Sequence, residues 1–344
     1  MTEPLKLLGA PGSPYTRKMI ALLRYRRIPY TVQWGSHMQP PEGLPTPKLK
    51  LLPTVYFPLP DGTLEPVVDS TPIIRRLERE HEGRSLVPAD PALAFIDELI
   101  EDFADEWLTK AMFHYRWSYE PDIAKAAALL PCWRGFCIPD DELAARGRMV
   151  AERQIGRLRY VGSNPGTGPV IEASYRRFLE LFEAHLRGRP YLMGERPGAS
   201  DFAAFGQLTQ LAEFDPTPAA LTLQVAPRVA AWVGLMEDQS GLEPQAQDWL
   251  DLAAPPATLK PLLAEIGRTY VPLMLANARA VAAGAEEVQA TVDGQAWRQQ
   301  PFPYQAKCLK WLRESHAALD GEARAQVDGL LAGTGCEALF DAGA

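Results

Sequence analysis

The sequence predicts two kinds of structure in succession, a small α/β domain and then a larger all-helical region. Over residues 1–85, short apolar runs and turn residues follow the order strand, helix, strand, loop, strand, strand, helix. From residue 92 onward, apolar residues recur mainly at helical spacing. The chain has 344 residues, a length that corresponds to about two domains.

The first half of the α/β domain has the pattern of a βαβ unit. Lys6–Gly9 is a short apolar run that predicts a buried strand. Ser13 and Pro14 are typical of a helix start, with serine at the N-cap and proline at the first helical position. Apolar residues at helical spacing extend this helix to about Arg27, and Ile28–Trp34 follows as a second strand. The order favours a parallel strand pair.

The second half of this domain predicts a strand pair and a helix. Leu51–Phe57 leads into a third strand, and Pro53 stands just before it, where a missing amide donor does least harm. Asp61–Gly62 is a turn signal, and Pro66–Val68 is a short fourth strand. Asp69–Pro72 has the composition of another helix start.

The remaining chain predicts a helical bundle followed by a mixed segment. The predicted helices cover Leu93–Trp117, Asp140–Tyr160, Pro169–Arg187, Asp201–Phe214, Pro227–Met236 and Thr258–Val281, the last with a kink at Pro272. Asp293–Gly294 predicts a hairpin between two short strands. A last apolar helical face contains Tyr304, Cys308 and Trp311.

The composition is that of an ordinary globular protein, with 47% hydrophobic and 23% charged residues. The formal net charge is -8 and no block of basic residues stands out, so binding of nucleic acid through its phosphates is not expected. No apolar run reaches the ~18 residues of a membrane helix, and the first residues lack the order of a signal peptide. We therefore expect a cytoplasmic protein without membrane contact.

The four cysteines do not suggest redox or metal chemistry. Cys132 and Cys137 are too far apart for a Cys-x-x-Cys pair, and no histidine flanks them at ligand spacing. We expect reduced, mostly buried thiols and no metal site.

Three features of the first domain, taken in order, resemble the N-terminal domain of the glutathione S-transferase superfamily. Ser13–Lys18 resembles the active-site helix start of the serine-type branches. Leu52–Pro53 resembles the cis-proline that enters the third strand, and Asp69–Ser70 resembles the acidic-serine pair that opens the next helix. Each signal is common alone, but their conjunction is specific.

The resemblance continues into the second domain. Arg189–Gly194 and Gly198–Phe202 are similar to the family's loop and capping box before a buried helix. Gly198 departs from the serine or threonine usual at the first position of that box, and it offers no side-chain acceptor.

The resemblance implies a thioredoxin-like glutathione-binding domain over residues 1–85. A helical substrate domain would cover residues 92–250, and a C-terminal extension over residues 251–344 would pack on it. It also implies a homodimer, glutathione as co-substrate and no metal. The extension departs most from the family pattern, and it could cover the electrophile pocket, extend the dimer interface or bind another protein.

The implied chemistry assigns roles to five residues. A free thiol has a pKa of about 8.5, and a helix N-terminus favours its anion. The hydroxyl of Ser13 would donate a hydrogen bond to the glutathione sulfur. Asp69 and the helix start at Ser70 would hold the γ-glutamyl group, while Leu52 and a cis Pro53 would present strand-like backbone to the cysteinyl residue.

The electrophile pocket and the reaction stay more open. Tyr15, Phe113, Tyr115 and Trp117 are candidates for lining the pocket, although each could equally pack in the core, and Tyr15 could replace Ser13 at the sulfur. The leading hypothesis is a glutathione transferase acting on a small hydrophobic electrophile. A non-catalytic binding protein of the same fold, or a glutathione-dependent isomerase or dehalogenase, is the alternative. Dithiol exchange is disfavoured, because Ser13 and Thr16 stand where glutaredoxin-like relatives carry cysteines.

Overall fold

A four-stranded mixed sheet opens the computed structural model, which describes residues 3–36 and 41–341. The strands are β1 (Leu5–Gly9), β2 (Tyr30–Trp34), β3 (Thr54–Pro58) and β4 (Leu64–Val68). Their order is β2-β1-β3-β4, with β1 parallel to β2 and antiparallel to β3, which is antiparallel to β4. The predicted thioredoxin-like arrangement is therefore confirmed.

Two helices complete this domain. Helix α1 (Pro14–Tyr25) begins after Ser13, as predicted, and ends two residues before the expected Arg27. Its apolar face is fully buried against the sheet, which fixes the position of its N-terminus beside the strand ends. Helix α2 (Ser70–Glu80) follows β4, with Asp69 as its N-cap residue.

The next region is helical, as predicted, but more finely divided. Its α-helices are α3 (Pro91–Phe103), α4 (Thr109–Ser118), α5 (Glu120–Cys132), α6 (Asp140–Ile155), α7 (Gly168–His185), α8 (Ala199–Leu208), α9 (Pro216–Val225) and α10 (Pro227–Met236).

The long helix expected over Leu93–Trp117 contains a π-helical turn at Ala104–Leu108 between α3 and α4. A second π turn, Thr209–Phe214, follows α8 where one continuous helix was expected. Apolar periodicity does not reveal one wider turn, because the buried stripe continues on both sides of it. The first π turn carries the buried carboxylates of Asp105 and Glu106.

Two helices, α5 and α9, were absent from the sequence prediction. Pro121 and Pro216 fall in the first turns of these helices, where no amide donor is needed. Pro131 lies in the last turn of α5, where few backbone bonds remain to be broken. Proline therefore marks the ends of these helices and not a gap in helical structure.

The C-terminal segment adds three helices and a hairpin. These are α11 (Leu259–Ala282), β5 (Val288–Val292), β6 (Gln295–Gln299), α12 (Pro303–Ala318) and α13 (Gly321–Leu331). The predicted hairpin is confirmed, with Asp293 at φ 49° and Gly294 at φ 73° in its turn. Pro272 lies within the continuous helix α11. Helix α11 packs against α7 and β5, and α12 and α13 pack on α3, so one hydrophobic core joins this segment to the rest.

Within residues 3–36 and 41–341, no single helix is long and apolar enough to cross a membrane. Helices α9 and α10 reach that length and apolarity only as a pair, and they are bent by 116°. The four cysteines are free, but only Cys308 and Cys336 are buried, whereas Cys137 is exposed.

Candidate functional site

A cavity of about 1120 Å³ lies between the sheet domain, the helical region and the C-terminal segment. Its walls come from the turn before β3, the start of α2, the π turn with α4, the end of α6 and the start of α12. Four predicted glutathione-binding residues and two predicted pocket aromatics line it: Leu52, Pro53, Asp69 and Ser70, with Tyr15 and Phe113.

The turn before β3 presents backbone groups to the cavity. The Leu52–Pro53 peptide bond is cis, as the resemblance implied. Among the described residues, no hydrogen bond engages the backbone amide or carbonyl of Leu52. These two groups are therefore available to pair with an extended peptide ligand.

Asp69 stands at the N-cap of α2 in an uncommon backbone conformation, with φ 79°. Such conformations cost about 1–3 kcal/mol and cluster at functional sites. Its side chain does not cap the helix. Instead Oδ2 accepts a hydrogen bond of 2.6 Å from the hydroxyl of Tyr304, at the start of α12. The C-terminal segment thus reaches the residue predicted to hold the γ-glutamyl ammonium.

Ser70 is buried, and its Oγ accepts a hydrogen bond of 3.2 Å from Nζ of Lys18. The same ammonium lies 2.7 Å from Glu101 Oε1 and 2.7 Å from Asp105 Oδ2. Burial lowers the pKa of Lys18, but the two carboxylates more than offset this and hold it above its ordinary value. The charge of Lys18 is therefore balanced by the two carboxylates, and its ammonium group lies beneath the start of α2.

The two candidate hydroxyls for the glutathione sulfur are both engaged. Ser13 is half-buried and lies outside the cavity lining, and its Oγ accepts from the amide of Thr16 at 3.2 Å. Tyr15 lines the cavity, but its hydroxyl donates to the carbonyl of Asp105 at 2.8 Å. Burial, with the nearby carboxylates, raises the pKa of Tyr15 well above its ordinary value, so it stays protonated. The sulfur contact of either residue stays a prediction.

Tyr115 and Trp117 differ from their expected place in the pocket. Tyr115 points about 200° around the helix from Phe113 and stacks on Tyr119, with ring centroids 5.6 Å apart. Trp117 shares the face of Phe113 but lies one turn further, where Ala126 and Ala151 of α5 and α6 cover it. Both are core residues, Tyr115 against the rings of Tyr119 and Tyr175 and Trp117 beneath α5 and α6, which matches the alternative of packing in the core.

The part of the cavity beside the start of α4 is basic, which was not predicted from the sequence. Lys110 is 2% exposed, and within the described residues its Nζ donates to the carbonyl of Val161 at 3.3 Å and to Gln299 Oε1 at 3.4 Å. Burial lowers the pKa of Lys110 to about 8. Burial also raises the pKa of Glu106, one turn earlier, to about 8, so this carboxyl is mostly protonated at neutral pH.

Three arginines from the end of α6 and the turn after it line the same end: Arg153, Arg157 and Arg159. The sequence carries a weak signal for them, since Arg153–Arg159 has three arginines in seven residues. Nothing in the sequence places this segment opposite Lys110, because the contact depends on long-range packing. Among the described residues, no group of three or more His, Cys, Asp or Glu is arranged to hold a metal ion.

Comparison with known proteins identifies two matching family models. Residues 7–85 match the model described as glutathione S-transferase, N-terminal domain. Residues 143–234 match the model described as glutathione S-transferase, C-terminal domain. No curated protein sequence matches the chain.

Three solved structures are similar to the chain at low identity. A glutathione transferase family member from Pseudomonas fluorescens, solved with two glutathione molecules bound, is 17% identical, with a TM-score of 0.43 over 76% of this chain and 92% of that one. A glutathione transferase from Pseudomonas putida, solved with one glutathione disulfide per subunit, is 18% identical, with a TM-score of 0.43 over 68% of this chain and 91% of that one. FzlA from C. crescentus is 17% identical, with a TM-score of 0.45 over 76% and 92% of the two chains.

Proposed function

Because this chain belongs to the glutathione S-transferase superfamily, we propose that it binds glutathione and conjugates its thiolate to a small electrophilic organic molecule. The observation that carries the proposal is the shared cavity. One end of it has the backbone of Leu52 with Asp69 and Ser70, while the other end extends past Phe113 to α6. Holding two reactants in one enclosed space is the main contribution such a protein can make to the reaction.

The free groups at the first end suit the parts of glutathione. The amide and carbonyl of Leu52 would pair with the cysteinyl residue. The first-turn amides of α2, at Ser70 and Thr71, would receive the γ-glutamyl carboxylate. Asp69 Oδ1 would accept from the γ-glutamyl ammonium, while Oδ2 keeps the bond from Tyr304.

In the reaction the thiol loses its proton to solvent water, and the resulting thiolate sulfur forms a bond to an electrophilic carbon. The electron pair displaced at that carbon leaves with a leaving group, or moves into a conjugated acceptor that then takes a proton from water. The N-terminus of α1 favours the thiolate through its dipole and free amides. The Ser13 hydroxyl would donate to the sulfur, since its Oγ accepts from the Thr16 amide and its own proton stays available.

The test is calorimetric titration of the full chain with reduced glutathione. Asp69→Ala and Ser70→Ala are expected to weaken binding about 10-fold or more, since each removes a polar partner of the γ-glutamyl end. Glu82→Gln is the matched control, because Glu82 is an exposed carboxylate just after α2. Absence of binding to well-folded protein, or equal loss in the control, would contradict the proposal.

Turnover is tested separately with 1-chloro-2,4-dinitrobenzene. Ser13→Ala is expected to lower kcat about 10-fold or more, while the glutathione Kd changes little. Because this change also removes the cap of α1, at about 1 kcal/mol, thermal unfolding must confirm that the variant is folded at the assay temperature. Unchanged kcat would exclude Ser13 from the sulfur.

A second candidate is a glutathione-binding protein without turnover. The hydrogen bond from Tyr304 to Asp69 favours this candidate. One carboxylate oxygen of the residue proposed to bind glutathione already has a partner in the C-terminal segment. Glutathione binding with no rate on any electrophile would support this candidate. An isomerase or dehalogenase would use the same thiolate, and analysis of the products distinguishes these from conjugation.

We propose the following division of labour, with domain boundaries as predicted from the sequence. Residues 1–85 would bind glutathione, residues 92–250 would bind the electrophile, and residues 251–344 would close the cavity. A homodimer in the cytoplasm is the expected form, and light scattering of the purified chain tests the subunit count.

A further inference from the structure

We propose that the basic end of the cavity binds an anionic group of the electrophile, so that the substrate is an apolar molecule carrying a carboxylate, sulfonate or phosphate. We call this end the anion pocket and define it by Lys110, Arg153, Arg157 and Arg159. The inference deepens the proposed function and depends on it for the claim that the ligand is an electrophile. The binding of an apolar anion can nevertheless be tested without any turnover.

Lys110 is the first observation. An ammonium group has three donors, and a buried one normally faces a carboxylate. Within the described residues, no carboxylate lies within ion-pair distance of Lys110, and its two acceptors are neutral and distant, at 3.3 and 3.4 Å. Glu106, one turn earlier, is the nearest carboxyl that acts on Lys110; its charge raises the pKa of Lys110, but burial outweighs this and lowers that pKa overall. An anion in the cavity would compensate Lys110 directly.

The arginines are the second observation. None of the ion pairs formed within residues 3–36 and 41–341 involves Arg153, Arg157 or Arg159, although the chain as a whole is acidic. The guanidinium carbons of Arg157 and Arg159 lie 5.9 and 4.9 Å from the Tyr160 ring centroid. All three arginines are exposed; Arg157 also donates to Gln154 Oε1 at 3.2 Å, and Arg159 donates to the Tyr160 hydroxyl at 3.2 Å.

Acidic residues do not cancel this charge locally. Glu152 is the one carboxylate from the end of α6 that lines the cavity within the described chain, against three arginines. Asp69 and Asp105 belong to the opposite end, where Tyr304 and Lys18 bind them. Guanidinium groups pair well with planar or tetrahedral oxyanions, which defines the ligand chemistry by its charge and oxygen atoms.

The space between the two ends is apolar. Phe113, Val161, Phe302 and Pro301 line it. The volume of about 1120 Å³ exceeds that of most single-ligand sites, which leaves room for a second molecule beside glutathione. An aromatic or alkyl body would therefore contact this wall while its anionic group reaches Lys110.

Two dyes with the same apolar body test the proposal by fluorescence titration. The probe is 1-anilinonaphthalene-8-sulfonate, and N-phenyl-1-naphthylamine is its uncharged match. Lys110→Met and Arg157→Gln are expected to weaken sulfonate binding about 10-fold or more and to change the neutral dye less than 2-fold. Phe113→Ala should weaken both dyes, which shows that they report this cavity. Arg148→Gln, an exposed arginine of α6 outside the cavity lining, is the control.

Three results would overturn the proposal. The first is an equal effect of the variants on both dyes, and the second is no effect on either. The third is a loss of glutathione affinity in Lys110→Met or Arg157→Gln with unchanged dye binding, because the anionic group would then be a carboxylate of glutathione. If Lys110→Met does not fold but Arg157→Gln does, the dye titrations of Arg157→Gln alone test the proposal. Glutathione titration of the wild-type protein reports separately on the proposed function.

Discussion

Two buried lysines near one cavity, Lys110 in its lining and Lys18 behind Ser70, have different electrostatic environments. The Lys18 ammonium has two carboxylates at 2.7 Å and the hydroxyl of Ser70 at 3.2 Å. Within the described residues, the hydrogen-bond acceptors of the Lys110 ammonium are a carbonyl at 3.3 Å and an amide oxygen at 3.4 Å. Accordingly, the pKa of Lys18 lies above its ordinary value, because the carboxylates outweigh burial, whereas burial lowers the pKa of Lys110 to about 8.

The difference separates a structural cation from one available to a ligand. Lys18 links α1, α2 and α3 beneath the residues that would hold the γ-glutamyl group, so its charge is used within the protein. Lys110 carries a buried charge that the described protein does not neutralise, so a ligand anion would stabilise it. The two ends of the cavity are therefore suited to different substrates.

The largest expected effect comes from removing the compensated lysine. Lys18→Met leaves Glu101 and Asp105 buried without their cation, and it should lower the free energy of unfolding by about 3–5 kcal/mol. Lys110→Met is the matched variant, and it should change stability by less than about 1 kcal/mol or raise it. Urea unfolding of both variants measures the contrast. Equal losses would mean that Lys110 has a partner of similar strength.

The pH dependence of stability should also separate the two lysines. The folded pKa of Lys110 is about 8, below the value of about 10.4 for an unfolded chain. Between these values the unfolded state binds more protons, so the Lys110 contribution to stability rises with pH. The free energy of unfolding of the wild type, minus that of Lys110→Met, should increase by about 1–3 kcal/mol from pH 8 to pH 10.

Five other titratable or charged groups line this part of the cavity with Lys110: Glu106, Glu152, Arg153, Arg157 and Arg159. The wild type and Lys110→Met are compared again with Glu106→Gln added to each, which removes the titration of that carboxyl. The difference in unfolding free energy should still increase with pH. A difference in unfolding free energy that stays constant or falls from pH 8 to pH 10 would contradict the claim that the charge of Lys110 is not neutralised by the protein. Lys18, with its raised pKa, should contribute no slope in the same range.

A smaller effect is expected where the C-terminal segment meets Asp69. Tyr304→Phe removes the 2.6 Å bond and frees Oδ2 for the γ-glutamyl ammonium, so glutathione should bind about 3–10-fold more tightly. Calorimetry measures the Kd. Tyr160→Phe, which removes a hydroxyl at the anion pocket, is the control and should leave it unchanged. Weaker binding in Tyr304→Phe would show instead that this hydroxyl positions Asp69 for the ligand.

The sheet domain was predictable because its signals are local. The serine cap and proline at the start of α1 and the turn at Asp61–Gly62 between β3 and β4 act over a few residues, and the structure has each of them. The π turn at Ala104–Leu108 was not predictable, since it changes the helix by one residue without altering the apolar stripe.

The site was only half predictable for a related reason. Leu52, Asp69 and Ser70 come together through the local order of the sheet domain. Lys110 and Tyr304 reach the same cavity from segments far apart in sequence, and only tertiary packing brings them together. A buried lysine also violates the hydrophobic pattern used to predict helices, so its position on a helix face gave no indication of its function.

The central claim is that one cavity binds two ligands at once, glutathione at the Asp69 end and an apolar anion at the anion pocket. Calorimetric titration of glutathione, with and without saturating 1-anilinonaphthalene-8-sulfonate, tests it most directly. We predict one glutathione per chain in both titrations, with a Kd that changes less than about 3-fold, because the two ends do not overlap. Complete displacement of one ligand by the other, or no glutathione binding in either titration, would contradict the account.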